Sequence, residues 1–239
     1  MNIELDEDGF VDLRYRELSE IPELPDDIVF LDISNNNIKN INVLRKYKNL
    51  KIVNVSYNKL TKLENIKLEE INCSFNKINI IKNCRIKRLD ISYNNLSETL
   101  QLSYTKILYT NNNINLKQIL SNSVEELICN NCNLREIIAP KIKILNCSNN
   151  KIRRLQFKNI IELDCENNNI KNIENMMLLE FLSCSANNID YIHYLPKLKS
   201  LITNSETSIE EKYRNHILDV ENYYNKNLNV DVNSFVFET

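Results

Sequence analysis

The chain repeats itself, and the repeat is short. An apolar residue at a first place is followed by apolar residues at the fourth, sixth, eleventh and fourteenth places and by asparagine at the ninth. The frame fits Ile28-Leu31-Ile33-Asn36-Ile38-Ile41, Leu50-Val53-Val55-Asn58-Leu60-Leu63 and Leu68-Ile71-Cys73-Asn76-Ile78-Ile81. It continues through Ile86-Leu89-Ile91-Asn94-Leu96 and a looser Tyr104-Ile107-Tyr109-Asn112-Ile114. Units with ninth places at Cys132, Asn150, Asn168 and Asn187 complete the series. Alternation at the fourth and sixth places reads as a short strand with one buried face. One such unit cannot bury its apolar residues alone; stacked units can.

This pattern, LxxLxLxxN/CxL, resembles the leucine-rich repeat family over about residues 10–203. The run Leu18-Ser19-Glu20-Ile21-Pro22-Glu23-Leu24-Pro25 before Leu31-Asp32-Ile33-Ser34 is also similar to the short-repeat class of bacterial effectors, although later units lack that proline pair. The resemblance implies a right-handed superhelix with a parallel concave sheet. The spacing departs from the family. Successive ninth places lie 22, 18, 18, 18, 20, 18, 18 and 19 residues apart, against the usual ~20–29. That leaves too little chain for a convex helix, so the convex side is expected to be mostly extended or 3₁₀, with one helical turn at Leu44–Asn49.

The recurring asparagines, Asn36, Asn58, Asn76, Asn94, Asn112, Asn150, Asn168 and Asn187, are expected to form a buried ladder that satisfies backbone groups of its own turn and of the adjoining unit. The chain holds 42 asparagines and a single glycine, Gly9. One glycine excludes phosphate loops, dinucleotide fingerprints and nucleophile elbows. Every unit must still turn out of its strand, and asparagine tolerates the left-handed backbone that such turns need. Two histidines, His193 and His216, exclude a multi-histidine metal site, and no catalytic residue, metal or cofactor is expected.

Three segments are expected: 1–27 as an N-terminal hairpin cap with an Asp-Gly turn and a degenerate first repeat, 28–203 as the repeats, and 204–239 as a C-terminal cap. A capping box at Ser208-Ile209-Glu210-Glu211 predicts a helix with Ile209, Tyr213, Ile217, Val220 and Tyr224 on one face. The cap is too short for a separate catalytic domain. No secretory signal and no run of 18 apolar residues is read in the sequence. Reduced thiols, a cytoplasmic location and no membrane partner are the expectation. The asparagine, lysine and isoleucine excess suggests an AT-rich genome such as that of a large DNA virus, in which case the compartment would be the host cytoplasm.

Cys73, Cys129, Cys147, Cys165 and Cys184 occupy sixth places and are expected as a buried thiol column, parallel and poorly aimed for disulfides. Cys132 stands at a ninth place, and Cys84, in a connection, is the best candidate for an exposed thiol. Charge is uneven, net −9 over residues 1–32 and +9 over 39–106. It is either a solvated outer face or a basic edge, including Lys59, Lys62 and Lys77, that draws an acidic partner. Nucleic acid is not expected, since the sequence pI is near 5.9.

Binding is expected on the concave face, where the third, fifth, seventh and eighth places project. The seventh is a lane of small residues: Ser34, Ser56, Ser74, Ser92, Ser148 and Ser185. The eighth carries Tyr57, Phe75 and Tyr93 in successive units, the fifth Asn54, Asn72 and Asp90, and the third Arg88. Leu108 and Ile128 continue the fifth-place row as apolar residues. This set reads either as a hot-spot patch for a partner protein or as aromatics that only cover the strand edge. Glu162, Asp164 and Glu166 form a second, acidic patch. The expected function is a monomeric, non-enzymatic scaffold that binds an unknown protein. The alternatives are a regulatory subunit or adaptor of an enzyme such as a phosphatase, and a host-directed effector.

Overall fold

The structure, a computed structural model, describes residues 3–189, 191–192, 195–203 and 208–209. Its main feature is an 11-stranded sheet, each strand parallel to the next. The strands run from Phe10–Asp12, Phe30–Asp32 and Ile52–Asn54 through Lys67–Asn72, Arg85–Asp90, Ile107–Tyr109 and Glu126–Ile128. Ile144–Asn146, Glu162–Asp164, Phe181–Ser183 and Ser200–Ile202 complete it. The register is regular: Phe30 faces Ile52, Ile52 faces Glu70 and Glu70 faces Arg88. Side chains of equal place therefore stack in rows across the sheet.

Among the described residues the chain is a solenoid of stacked short repeats with almost no helix. The fourth, sixth, eleventh and fourteenth places fill one continuous core, with Leu31, Ile33, Ile38, Leu60, Leu63 and Ile71 fully buried. On the convex side the eighteen-residue units make extended segments that pair in three small parallel sheets. One joins Lys62–Glu64 to Ile80–Lys82; a second joins Ser97–Leu102, Asn115–Ser121 and Glu136–Ile138. The third joins Asn172–Ile173, Tyr191–Ile192 and Ser208–Ile209. The helical turn in the longest unit is a 3₁₀ segment at Asn42–Lys46, two residues before the place expected.

The ends differ from expectation. Residues 6–9 do form a tight turn: Gly9 N donates to Asp6 O, and Asp6 Oδ1 accepts the amides of Asp8 and Phe10. Gly9 holds φ +78°, and a Cβ there would lie 2.9 Å from Val29 Cγ2, so this one position requires glycine. Residues 3–5 are not a strand; Ile3 and Leu5 lie partly buried against the core, and Phe10–Asp12 pairs in parallel with the next unit. At the other end Ser208–Ile209 is extended and pairs with Tyr191–Ile192, not the first turn of a helix, because the ladder of the preceding unit offers it backbone partners. The rest of the expected capping helix lies outside the described residues, as do His193 and His216.

The asparagine ladder has one geometry throughout. Asn76 Nδ2 donates to the carbonyls of Val55 (3.0 Å) in the preceding unit and of Cys73 and Ser74 (both 3.1 Å) in its own. Its Oδ1 accepts the amide of Leu60, again in the preceding unit, at 2.8 Å. Asn58, Asn94, Asn150, Asn168 and Asn187 repeat the pattern. Asn36 follows it on the donor side and accepts from Arg16 and Leu18. One member changes. Asn112 is not in the ladder; Asn113 is, fully buried, donating to Ile91 O and Thr110 O and accepting from Leu96 N. The frame of this unit is shifted by one. Thr105, Leu108 and Thr110 face the core, while Tyr104 and Ile114 are exposed. Leu108 is thus core, 0% exposed, and not part of the concave surface.

Candidate binding groove on the concave face

The groove is built from two local turns that recur in the repeat. The fifth place opens an Asx turn: its carboxylate or amide oxygen accepts the amide two residues on. Asp32 serves Ser34, Asn54 serves Ser56, Asn72 serves Ser74 and Asp90 serves Ser92, at 2.8–3.1 Å. Asn54 and Asn72 also accept the hydroxyls of Ser56 and Ser74. The row read from sequence as contact residues thus first shapes its own loop.

The eighth place then takes a left-handed backbone. Asn35, Tyr57, Phe75, Tyr93, Asn112, Asn131, Asn149, Asn167 and Ala186 all hold φ between +50° and +59°. In five of these nine units the residue is asparagine, which tolerates this region best among residues with a Cβ. A second left-handed turn at Asn65, Asn83 and Asn175 closes the convex segment. These turns, added to the ladder, account for much of the asparagine excess and for the near absence of glycine.

Three successive units place an aromatic ring at this turn instead. Tyr57 and Phe75 stack with centroids 4.2 Å apart and planes 7° from parallel; Phe75 and Tyr93 follow at 4.1 Å and 11°. Tyr57 is 51% and Tyr93 43% exposed. The stack forms one wall of a groove of about 250 Å³. Ser34, Ser56, Ser74 and Ser92 line it, with Asp32, Asn54, Asn72 and Asp90 on the far side. Arg14, Tyr15 and Asn35 complete its lining in the first two units.

Asp32 and Asp90 are buried carboxylates in the groove's lining. Asp32 Oδ2 accepts from the side-chain Nδ2 of Asn54 at 3.0 Å. Burial holds the Asp90 carboxyl above the usual range, opposed by its bonds to Ser92. Beyond Tyr93 the row changes character. Tyr109, which the shifted frame brings to the fifth place, receives a hydrogen bond from Arg88 Nη1 at 3.3 Å and donates to Glu126 at 3.0 Å. Arg88 Nε also lies 3.8 Å from Glu70. Burial and the Glu126 charge push the Tyr109 phenol up to about 12. Sequence reasoning missed Tyr109 because it was assigned to the core. Ile128, half-buried, does continue the fifth-place row.

The other readings separate in space. The five column cysteines are buried, unbridged and pushed upward by burial, Cys184 to about 12. Cys73 donates to Asp90 O at 3.1 Å. Cys84 is half-buried. Lys59 and Lys77 share a row after the ladder asparagine, whereas Lys62 sits on a convex strand and pairs with Glu64 at 2.9 Å, so the three are not one edge. The acidic triplet is half-buried. Asp164 accepts the Glu166 amide, and Glu166 accepts the Ser183 hydroxyl. Among the described residues no group of His, Cys, Asp or Glu side chains could hold a metal ion, and no helix is long and apolar enough to cross a membrane.

Comparison with solved structures agrees with this architecture. A chain of the LRIM1/APL1C complex is 18% identical, with a TM-score of 0.51 over 88% of this chain and 52% of its own. The leucine-rich repeat domain of APL1B is 22% identical, with a TM-score of 0.49 over 80% of this chain and 57% of its own. A chain of the octameric complex of Latrophilin 3, Unc5D and FLRT2 is 18% identical, with a TM-score of 0.49 over 85% and 83%. The chain spans little more than half the length of the first two. At 18% identity the first of these likenesses concerns the fold alone. No family model and no curated protein matches the sequence.

Proposed function

We propose that the chain is a protein-binding solenoid with no catalysis of its own, and that its partner docks along the groove of the first five units. The observation that carries this reading is the ring stack at left-handed positions. An aromatic residue there costs about 1–2 kcal/mol of backbone energy, which asparagine in the sister units largely avoids. Ring–ring stacking returns about 0.5–1.5 kcal/mol per pair, so stability alone gives little reason for the exchange. Exposed aromatics beside a polar, small-residue lane are the composition of an interface hot spot. In this reading the protein acts as a monomer in a reducing compartment such as the cytoplasm, a setting that suits seven unbridged thiols. The partner is neither nucleic acid nor a membrane.

The test is a triple variant, Tyr57→Asn, Phe75→Asn and Tyr93→Asn, which gives each turn the residue used in sister units. Affinity purification with wild type and with this variant, followed by mass spectrometry, compares their partners. The expected result is loss of specific partners at an unchanged fold. Recovery of the same partners by the triple variant sinks the reading.

A further inference from the structure

The row that carries the aromatic column is interrupted at one place. Tyr15 belongs to the same row as Tyr57, Phe75 and Tyr93: its φ is +56°, and its amide donates to Ser34 O as those of Tyr57 and Phe75 donate to Ser74 O and Ser92 O. Between Tyr15 and Tyr57 the row holds Asn35, whose amide donates to Ser56 O. Tyr15 and Tyr57 are two strands apart, roughly 9–10 Å at ordinary sheet spacing. Neighbouring rings of the column lie 4.1–4.2 Å apart. One planar group between Tyr15 and Tyr57 would therefore continue the stack at close to its own interval. The Asn35 side chain is short, only partly buried, and donates to the Ser34 hydroxyl at 3.4 Å. Tyr15 is 74% exposed, and Tyr15, Asn35 and Tyr57 all line the groove.

We propose that this gap is a slot for one aromatic side chain of the partner protein, which inserts between Tyr15 and Tyr57 over Asn35 and completes a five-ring stack. The inference rests on the groove being the partner-binding surface. Stacking geometry, not charge, selects the occupant. Arg14 at this end of the groove is paired with Asp12 through bonds of 2.7 and 3.0 Å and shares the lining with Asp32, so these charges offset and the spacing of the rings decides. An aromatic ring gains two stacked faces and buries apolar area that two tyrosines otherwise expose to water.

The chain contains no tryptophan, so indole fluorescence of a probe reports binding without background. The probe is a blocked alanine pentapeptide with one central tryptophan; versions with leucine or arginine at the centre are competitors. Wild type should give saturable binding of the tryptophan peptide. Asn35→Tyr, which fills the slot from within at a turn that accepts tyrosine in sister units, should weaken it about tenfold or more. Tyr15→Asn, which removes one wall, should do the same and carries the test if N35Y lowers the unfolding midpoint. The leucine and arginine peptides should compete poorly. Absence of saturable binding to wild type, undiminished binding in both variants, or preference for the arginine peptide overturns the slot. Partner capture lost in the triple asparagine variant but intact in N35Y overturns the slot and leaves the groove standing. Capture unaffected by the triple variant overturns the groove reading itself.

Discussion

Cys132 Sγ donates to the Thr110 carbonyl at 3.2 Å, standing where every other full unit has an asparagine amide. A thiol can imitate the donor half of the ladder weakly, but it lacks the oxygen that accepts the preceding unit's amide. The chain compensates in that preceding unit. An additional residue enters after Asn113, Leu116 N turns back onto Asn113 O, and the convex strand pairing shifts between Leu116 and Gln118. Asn76→Ala should accordingly destabilise by about 2–4 kcal/mol, because it strands a buried amide and several carbonyls. Cys132→Ala should cost only about 1 kcal/mol. Urea unfolding of the two variants measures both; equal losses would contradict the ladder's division of labour.

Phe75 is stacked on both faces and sits at φ +53°. Phe75→Asn removes the rings' contact but relieves the backbone, whereas Phe75→Ala removes the contact and keeps the strain. The asparagine variant should lie within about 1 kcal/mol of wild type, because the lost stacking and the relieved backbone roughly offset, and the alanine variant about 1 kcal/mol below the asparagine one. Thermal unfolding decides it. If alanine proves the milder change, the left-handed strain is not what these rings work against.

Asp164 has its carboxyl raised to about 6, chiefly by burial, with the Glu166 charge adding to it. Its unfolded value is ~3.9. Between those values the folded state binds more protons, so this residue makes stability fall as pH rises through that window. Asp164→Asn keeps the Asx acceptor, as Asn146 shows by accepting the Ser148 amide at 3.2 Å. The variant should be more stable than wild type by about 1–2 kcal/mol above pH 7 and indistinguishable from it below about pH 4. Unfolding curves across pH test the sign; a variant less stable at neutral pH refutes it.

Thiol reactivity follows burial. Five column cysteines and Cys132 are buried, with Cys132 pushed up to about 11, while Cys84 is half-buried with its Sγ near the carbonyls of Leu63 and Lys82. Native protein should titrate with one slow thiol against a disulfide reagent and all seven after denaturation. Cys84→Ser should abolish the native signal. Rapid reaction of two or more native thiols would mean that the column is open.

The repeat, the buried faces and the ladder were legible in the sequence because each rests on a position that recurs with one chemistry. Leu31, Val53, Ile71 and Leu89 share the fourth place of one frame, and a strand period of two leaves them one face. The Tyr104–Ser121 unit was misread because two frames compete there. Tyr104, Ile107 and Tyr109 satisfy an apolar template better than Thr105, Leu108 and Thr110, and Asn111, Asn112 and Asn113 give no anchor. A one-residue slip turns every side chain to the other face, which hid Tyr109 from the concave surface and put Leu108 on it. The groove was legible as rows of residues. Its shape was not, since stacking and left-handed turns depend on what the adjacent unit carries at the same place.

That slip yields the last prediction, which tests the register directly. Asn113 is fully buried and makes three ladder bonds; Asn112 holds φ +59° at the eighth place. Asn113→Ala should destabilise by about 2–4 kcal/mol, as any ladder asparagine does. Asn112→Gly should be neutral to within about 0.5 kcal/mol, because glycine adopts the left-handed backbone freely and only its unfolded-state entropy opposes it. The template frame demands the opposite ranking, with Asn112 the ladder residue and Asn113 a bystander. Denaturant midpoints of the two variants separate the frames, and a larger loss at Asn112 would return Leu108 to the concave face.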